Sequence, residues 1–343
     1  MKQLLYLLAI CLLLINSTSC KKNDTTTTTP IVTTPTSTFP SNLIFNTGFE
    51  AGTYMVSTSS QTAEFRGTDA SVPAPNNWVS DFVNNPSIGL FRIYYEQGDS
   101  SQRLCSIVAD PVNPSNKVMN YKINVPNIDL PLKDQYTVNG ILFNKKARIQ
   151  ADLYGNIGLK EVYQSIRLFI PTDFNKLVNS PYPGNGDWIT LFEFWNNASF
   201  VTPNYDFRFG ITLSKVSSAV GSPFYFKTEG QTYDTATGYK TVWTKQNTAF
   251  LAPIGKWMTI DYYIKEGNKG TGRFYFAVTP DGGSKTVVYD LNEATCHPDD
   301  PNPDGLTEFN PIKLYGSNNI VNQMNARGGK FQVYWDDFKI WKR

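Results

Sequence analysis

The chain has 343 residues, with 31 Lys+Arg against 29 Asp+Glu and a single His. That near balance argues against a nucleic-acid binder, which carries a basic patch or excess, and one imidazole excludes a multi-histidine metal site. With 22 Phe, 19 Tyr and 7 Trp there is apolar area for a large core, which excludes global disorder.

Residues 1–19 read as an export signal. Lys2 supplies a short positive start, and Leu4 to Ile15 is an apolar run too short for a membrane-spanning anchor. Small residues Ser17, Thr18 and Ser19 then lead to Cys20. This resembles the lipobox of bacterial lipoproteins, with Ser17 where an aliphatic residue is usual. The resemblance implies lipidation at Cys20 and attachment to a membrane through that lipid. Residues 20–41 are dominated by Thr, Pro and Ser, a composition that buries no apolar area and serves as an extended, flexible tether. Lys21, Lys22 and Asp24 directly after the cysteine resemble the tails of surface-exposed lipoproteins of glycan-degrading Gram-negative bacteria. The expected location is therefore the outer membrane, facing the exterior. Cys11 leaves with the signal. Cys105 and Cys296 remain, and in an oxidising compartment a disulfide between them is favoured over two buried thiols.

Residues 42–343 read as one domain without internal repeats. Asn42 to Glu50 is the expected first strand. Trp78 and the run Phe91, Tyr94, Tyr95 belong either to the core or to a binding face. Period-two alternation then recurs. Ile149, Ala151 and Leu153 oppose Arg148, Gln150, Asp152 and Tyr154. Ile166, Leu168 and Ile170 oppose Tyr163, Ser165 and Arg167. A short helix is expected near Asp173 to Val178. Phe207, Phe209, Ile211 and Leu213 alternate with Arg208, Gly210, Thr212 and Ser214. Met258 to Lys265, Arg273 to Val278 and Thr286 to Leu291 continue the meander. Lys330 to Trp341 is a last strand whose apolar parity shifts near Asp336, as at a β-bulge. Clean one-face burial in many strands means antiparallel sheets in a sandwich or jelly roll.

The order of these segments resembles the concanavalin-A-like jelly rolls of polysaccharide lyases and related glycan-active proteins. The likeness is carried by Arg148 to Leu153, by Tyr163 to Phe174 with its Pro171, Asp173 and Phe174, by Trp188 to Trp195, and by Pro311 to Tyr315 with Tyr334 to Ile340. It implies an all-β sandwich of two antiparallel sheets acting on an extracellular polysaccharide. The sequence departs from several such lyases at one place. Where their central strand ends in Gln, an aromatic and His, this chain has Glu193, Phe194, Trp195 and Asn196, and His297 lies in a Pro- and Asp-rich loop.

Arg148, Gln150, Asp152, Tyr163, Arg167, Arg208, Tyr263, Arg273 and Tyr275 would project from one face if all their strands share a sheet. Four Arg there favour an acidic polysaccharide, since a guanidinium pairs bidentately with carboxylate. β-Elimination needs a neutraliser for the uronate carboxylate, a base and an acid. Arg148 and Gln150 are candidates for the first. Tyr315 is the candidate for both others, with Lys313 nearby to lower its pKa. Glu193, a carboxylate on an apolar strand, is the candidate for the rival chemistry, hydrolysis. Tyr163, Arg167, Trp195, Asn196, Arg208, Tyr263 and Tyr275 are candidate sugar contacts. The alternative is a non-catalytic surface glycan-binding protein with a platform such as Trp195, Trp243 or Trp257. No organic cofactor is expected. Asp336 with Asp337 either cap a bulge or turn or hold a structural Ca2+, and Asp299, Asp300 and Asp304 either hold one or belong to a rigid Pro-rich surface loop. A monomer without nucleic-acid partners is expected.

Overall fold

The computed structural model describes residues 42–50, 52–69, 77–78, 82, 88–96, 101–126, 135–138, 141–144, 147–184, 187–196, 205–234 and 238–342. The expected export signal and tether, with Cys20, lie outside the described residues. In chain order the strands are β1 (Leu43–Thr47), β2 (Thr53–Ser57), β3 (Thr62–Gly67), β4 (Leu90–Glu96), β5 (Arg103–Ala109), β6 (Lys117–Ile123), β7 (Gln135–Val138), β8 (Ile141–Asn144), β9 (Ala147–Leu159) and β10 (Glu161–Phe169). A 3-10 turn, Thr172–Phe174, runs into α1 (Asn175–Val178). Then come β11 (Ile189–Asn196), β12 (Phe207–Lys215), β13 (Phe224–Asp234), β14 (Gly238–Leu251), β15 (Trp257–Lys265), β16 (Arg273–Pro280), β17 (Thr286–Leu291) and β18 (Leu306–Gly316). α2 (Asn318–Ala326) and β19 (Phe331–Lys342) complete the order.

Two antiparallel sheets form a jelly-roll sandwich. One has nine strands in the order β14-β13-β12-β11-β18-β9-β4-β3-β2. The other has eight, β17-β16-β15-β10-β19-β6-β5 with β1 also on β19. β7 and β8 make a separate hairpin. The chain crosses repeatedly between the layers, so neighbours in each sheet come from distant sequence.

The core lies between the sheets. Ile149, Ala151 and Leu153 of β9 are fully buried, and so are Ile166 and Leu168 of β10. Gln164, the polar interruption in β10, also points inward and donates to the Pro311 carbonyl at 3.1 Å. Aromatic contacts fix β11. Phe192 meets Trp335 and Tyr262 edge-on, each at 5.4 Å, and Phe194 stacks on Phe209 at 5.1 Å. Such pairs add about 0.5–1.5 kcal/mol each beyond burial, and they hold Glu193 and Trp195 to the outer face.

Two irregularities decide what that outer face carries. In β18, two residues, Asn310 and Pro311, oppose the single Asp152 of β9. Proline has no N–H for the ladder, so a bulge is where it fits. The bulge shifts the parity, so Asn310 and Lys313 both point outward. Midway along β19 the expected bulge is present. Phe338 and Asp337 oppose Ile166, and Asp337 takes φ 47°. β1 occupies the expected first strand. Trp78, Phe91 and Tyr95 are core residues.

Cys105 and Cys296 are both buried and not bonded to each other, which corrects the expected disulfide. Cys105 sits in β5, at one edge of the eight-stranded sheet. Cys296 follows β17, at the other edge, and its thiol faces Asn268 Oδ1. Strands spaced about 4.8 Å apart put the two edges well over 20 Å from each other, far beyond disulfide reach.

Candidate functional site on the nine-stranded sheet

The outer face of β4, β9, β18, β11 and β12 carries rows of polar and aromatic side chains, each row set by strand register. Arg148 lies opposite Tyr315, Gln150 opposite Lys313, and Tyr154 opposite Glu308. Trp195 is paired with Glu308 on one side and Arg208 on the other. Glu193 lies between Asn310 and Gly210. Gly210 is required there, because a Cβ would stand 2.6 Å from the Phe192 carbonyl oxygen.

The buried layer of this face is a hydrogen-bonded ionic network. Lys313 donates to Glu193 Oε2, and to Asn310 Oδ1 at 3.0 Å. Arg208 Nη1 donates to Glu193 Oε1 at 3.0 Å, while its Nη2 and Nε hold Gln231 Oε1 at 2.9 and 3.1 Å. Asp152 accepts from Arg92 Nε at 3.0 Å, from Asn310 Nδ2 at 2.9 Å and from Gln150 Nε2. Aromatic rings cover these charges. The Arg148 guanidinium lies 5.3 Å from the Tyr315 ring centre and Lys313 Nζ lies 5.4 Å from it. Arg208 lies 4.9 Å from the Tyr239 ring. Trp188 meets Tyr315 edge-on at 5.4 Å.

The electrostatics follow. Burial raises the Glu193 carboxyl, but Lys313, Arg208 and Arg148 outweigh it and hold the group down at about 2. Burial drives the Lys313 ammonium down to about 7, against the pull of Glu193 and with help from Arg148. The Tyr315 phenol is pushed up by burial, although Arg148 and Arg208 pull the other way. This corrects the expectation that Lys313 lowers Tyr315. Glu308 is raised to about 7 by burial and by Asp152. Around Tyr315, two guanidinium cations (Arg148 and Arg208) and the Lys313 ammonium, held down at about 7, surround one ionised carboxylate, Glu193. Such a centre favours an anionic ligand.

Arg148, Gln150, Glu193, Lys313, Tyr315, Trp195 and Arg208 are thus brought together on one face. The other expected contacts are not. Tyr163, Arg167, Tyr263, Arg273 and Tyr275 project from the outer face of the eight-stranded sheet, because β10, β15 and β16 belong to it. There Tyr163 stacks on Tyr263 at 4.2 Å, Arg273 pairs with Asp290 at 2.8 Å, and Arg167 lies over Trp257. Asn196 is one residue out of phase with Glu193 and Trp195. Its amide donates to Gly305 O at 2.8 Å and to Glu266, so it anchors a loop. The side chain beside Glu193 along β11 on the outer face is Trp195. Trp243 and Trp257 are buried, donating to Ala294 O at 2.7 Å and Asp110 Oδ1 at 3.0 Å, so neither is a platform. His297 packs its ring on Tyr205 and accepts from the Asp299 N–H at 3.1 Å, within its loop.

Sequence reading missed Glu308, Asn310, Arg92, Tyr239 and Gln231. Continuing the alternation of β18 backwards past Pro311 would have required placing the bulge. Among the described residues, no group of three or more His, Cys, Asp or Glu is placed to hold a metal ion.

No protein-family profile matches the chain, and no curated protein matches it. Among solved structures it is similar to an endo-β-1,4-glucuronan lyase from the fungus Trichoderma reesei, at 17% identity and TM-score 0.42, over 73% of this chain and 90% of that one. It is also similar to a marine PL-14 alginate lyase from Aplysia kurodai, at 11% identity and TM-score 0.41, over 84% of this chain and 100% of that one. A glycoside hydrolase family 131 catalytic domain from Coprinopsis cinerea matches at 11% identity and TM-score 0.34, over 73% and 83%. Identities this low leave function to the chemistry of the face.

Proposed function

We propose that this protein depolymerises an acidic extracellular polysaccharide by β-elimination on the outer face of the nine-stranded sheet. The observation that carries this reading is the pairing of Arg148 and Gln150 on β9 with Tyr315 and Lys313 on β18. A uronate bound over this pair has its carboxylate neutralised by Arg148, which acidifies the adjacent C5–H, while Gln150, buried and donating to Asp152, lies beneath the face. Tyr315, as phenolate, takes that proton. The C4–O bond then breaks to leave a C4=C5 double bond, and the phenol returns the same proton to the leaving oxygen. Lys313 has 0% exposure, so it does not touch substrate. It positions Tyr315 and Glu193 and adds positive potential. Glu193 is spent on Lys313 and Arg208, and held at about 2 it cannot serve as the acid of a hydrolase.

The leader and tether support attachment through a lipid at Cys20, with the domain displayed outside the outer membrane. A second reading, glycan binding without catalysis, is favoured by Trp195. It places an aromatic face, which suits sugar C–H surfaces, beside Glu193.

The test is the purified protein against acidic and neutral polysaccharides, reading ultraviolet absorbance of the unsaturated uronate and reducing ends in parallel. Both rise for a lyase. Reducing ends alone mean a hydrolase. If neither rises and one glycan retards the protein in an affinity gel, the binding reading stands.

A further inference from the structure

Glu308 is the carboxyl on this face that the elimination does not use. It is half-buried, and no hydrogen bond or ion pair with another described residue holds it. Its register partners are Tyr154 on β9 and Trp195 on β11, so the carboxyl stands between two aromatic side chains. Tyr154 is backed by Arg92, whose guanidinium lies 4.2 Å from the ring centre. Along β9, the Tyr154 backbone is six positions, roughly 20 Å, from that of Arg148, while the Trp195 ring lies closer in, 5.7 Å from Lys313 Nζ. A bound chain that runs from Tyr315 toward Tyr154 therefore presents a different sugar unit at Glu308.

We propose that Glu308, Tyr154 and Trp195 form a second subsite, in which the Glu308 carboxyl donates a hydrogen bond to the carboxylate of a uronate remote from the cleavage point. The inference rests on the acidic-glycan reading above. A carboxyl can donate only while protonated, and its surroundings keep it so. Burial and Asp152 raise it to about 7, against Arg148, Arg92 and Lys313. The groups around it are Lys313 on its own strand, Arg148, Asp152 and Tyr154 on β9, Arg92 on β4, Glu193 and Trp195 on β11, and Arg208 on β12. The two other carboxylates have their cations. Glu193 holds Lys313 and Arg208, and Asp152 holds Arg92. Glu308 and the Lys313 ammonium, held down at about 7, are the groups here that change charge near neutrality, and of the two Lys313 is fully buried. Below about pH 7 Glu308 donates to the uronate. Above it, two carboxylates face each other and repel.

The test is calorimetric binding of a polyuronate and of its carboxyl-reduced, neutral counterpart between pH 5.5 and 8.5, in a Tyr315→Phe background that leaves the polymer uncut. Polyuronate affinity should fall about tenfold from pH 6 to pH 8, following the protonated fraction. The reduced polymer should change less than about twofold over the same range. Glu308→Gln, which always donates, should hold the low-pH affinity throughout, and Glu308→Asp should restore a pH step. A pH step that survives Glu308→Gln overturns the assignment. So does a flat profile, or no polyuronate binding at any pH. A protein that shows the step while its unsubstituted form yields no unsaturated product overturns the elimination and leaves the Glu308 subsite standing.

Discussion

Tyr315 and Arg148 are register partners on β18 and β9, and the Arg148 guanidinium lies 5.3 Å from the centre of the Tyr315 ring. The groups proposed for carboxylate neutralisation and for proton transfer are therefore adjacent, as elimination requires. Tyr315→Phe removes the transferable proton and keeps the ring against Trp188 and Arg148. Turnover should fall by about 10²–10⁴-fold with glycan affinity nearly unchanged. Arg148→Lys keeps the charge and loses the planar fork, so it should raise KM and lower kcat together. A Tyr315→Phe protein that still produces unsaturated ends at the normal rate removes Tyr315 from the chemistry.

The pH profile follows from the phenol. Burial raises Tyr315 above its ordinary value, so the phenolate is scarce at neutral pH. A raised acid is protonated over a wider range, and its ionised fraction grows about tenfold per pH unit below its pKa. Elimination with Tyr315 as base should therefore quicken steadily from pH 7 into the alkaline range, as long as the fold holds. A rate flat from pH 7 to 9 would mean that another group takes the C5 proton.

Glu193 and Lys313 form the buried ion pair beneath that site, and cutting one side of it should be costly. Lys313→Met leaves Glu193 in a dry site with Arg208 as its ion-pair partner and Arg148 farther off, at a cost of about 3–5 kcal/mol. Adding Glu193→Gln should recover part of the loss, because no uncompensated carboxylate remains. Acid melting reads the same pair. Glu193 has its folded value depressed from 4.5 to about 2, so its contribution is complete above about 4.5 and is lost as pH falls toward 2. At most this is about 3 kcal/mol. Urea midpoints for the parent should drop over that window, and those for Glu193→Gln should drop less. Identical slopes would show that Glu193 is not ionised by its neighbours.

Much of the fold was legible because half-buried strands announce themselves by parity. β9, β10, β12, β15, β16 and β19 all alternate cleanly, and even the Asp336 phase shift marks a real bulge. Sheet membership was not legible. Nothing in the alternation of Tyr163 or Tyr263 says which layer β10 and β15 join, since that depends on strand pairing over a hundred or more residues. The long hairpin β13–β14 escaped because its outer edge is polar on both faces, with Trp243 as the one buried anchor of its second strand. Glu308 escaped for a local reason. The Asn310–Pro311 bulge breaks the period, so the polar residues on either side of it appear to face opposite ways.

The cysteines give the plainest stability test. Two thiols at opposite edges of one sheet cannot be joined without unfolding it, so oxidation has no intramolecular disulfide to form in the native state. Both are buried, and burial raises both thiols, Cys296 to about 12 and Cys105 well above its usual value, so the reactive thiolate is scarce at either site. The melting temperature should be the same with and without a reducing agent. Iodoacetamide should leave Cys105 and Cys296 unmodified in the native protein and alkylate both after denaturation without prior reduction, as read by peptide mass spectrometry. A Cys105–Cys296 cross-linked peptide, or a melting temperature lowered by reductant, would require a different pairing of β5 with the strands around β17.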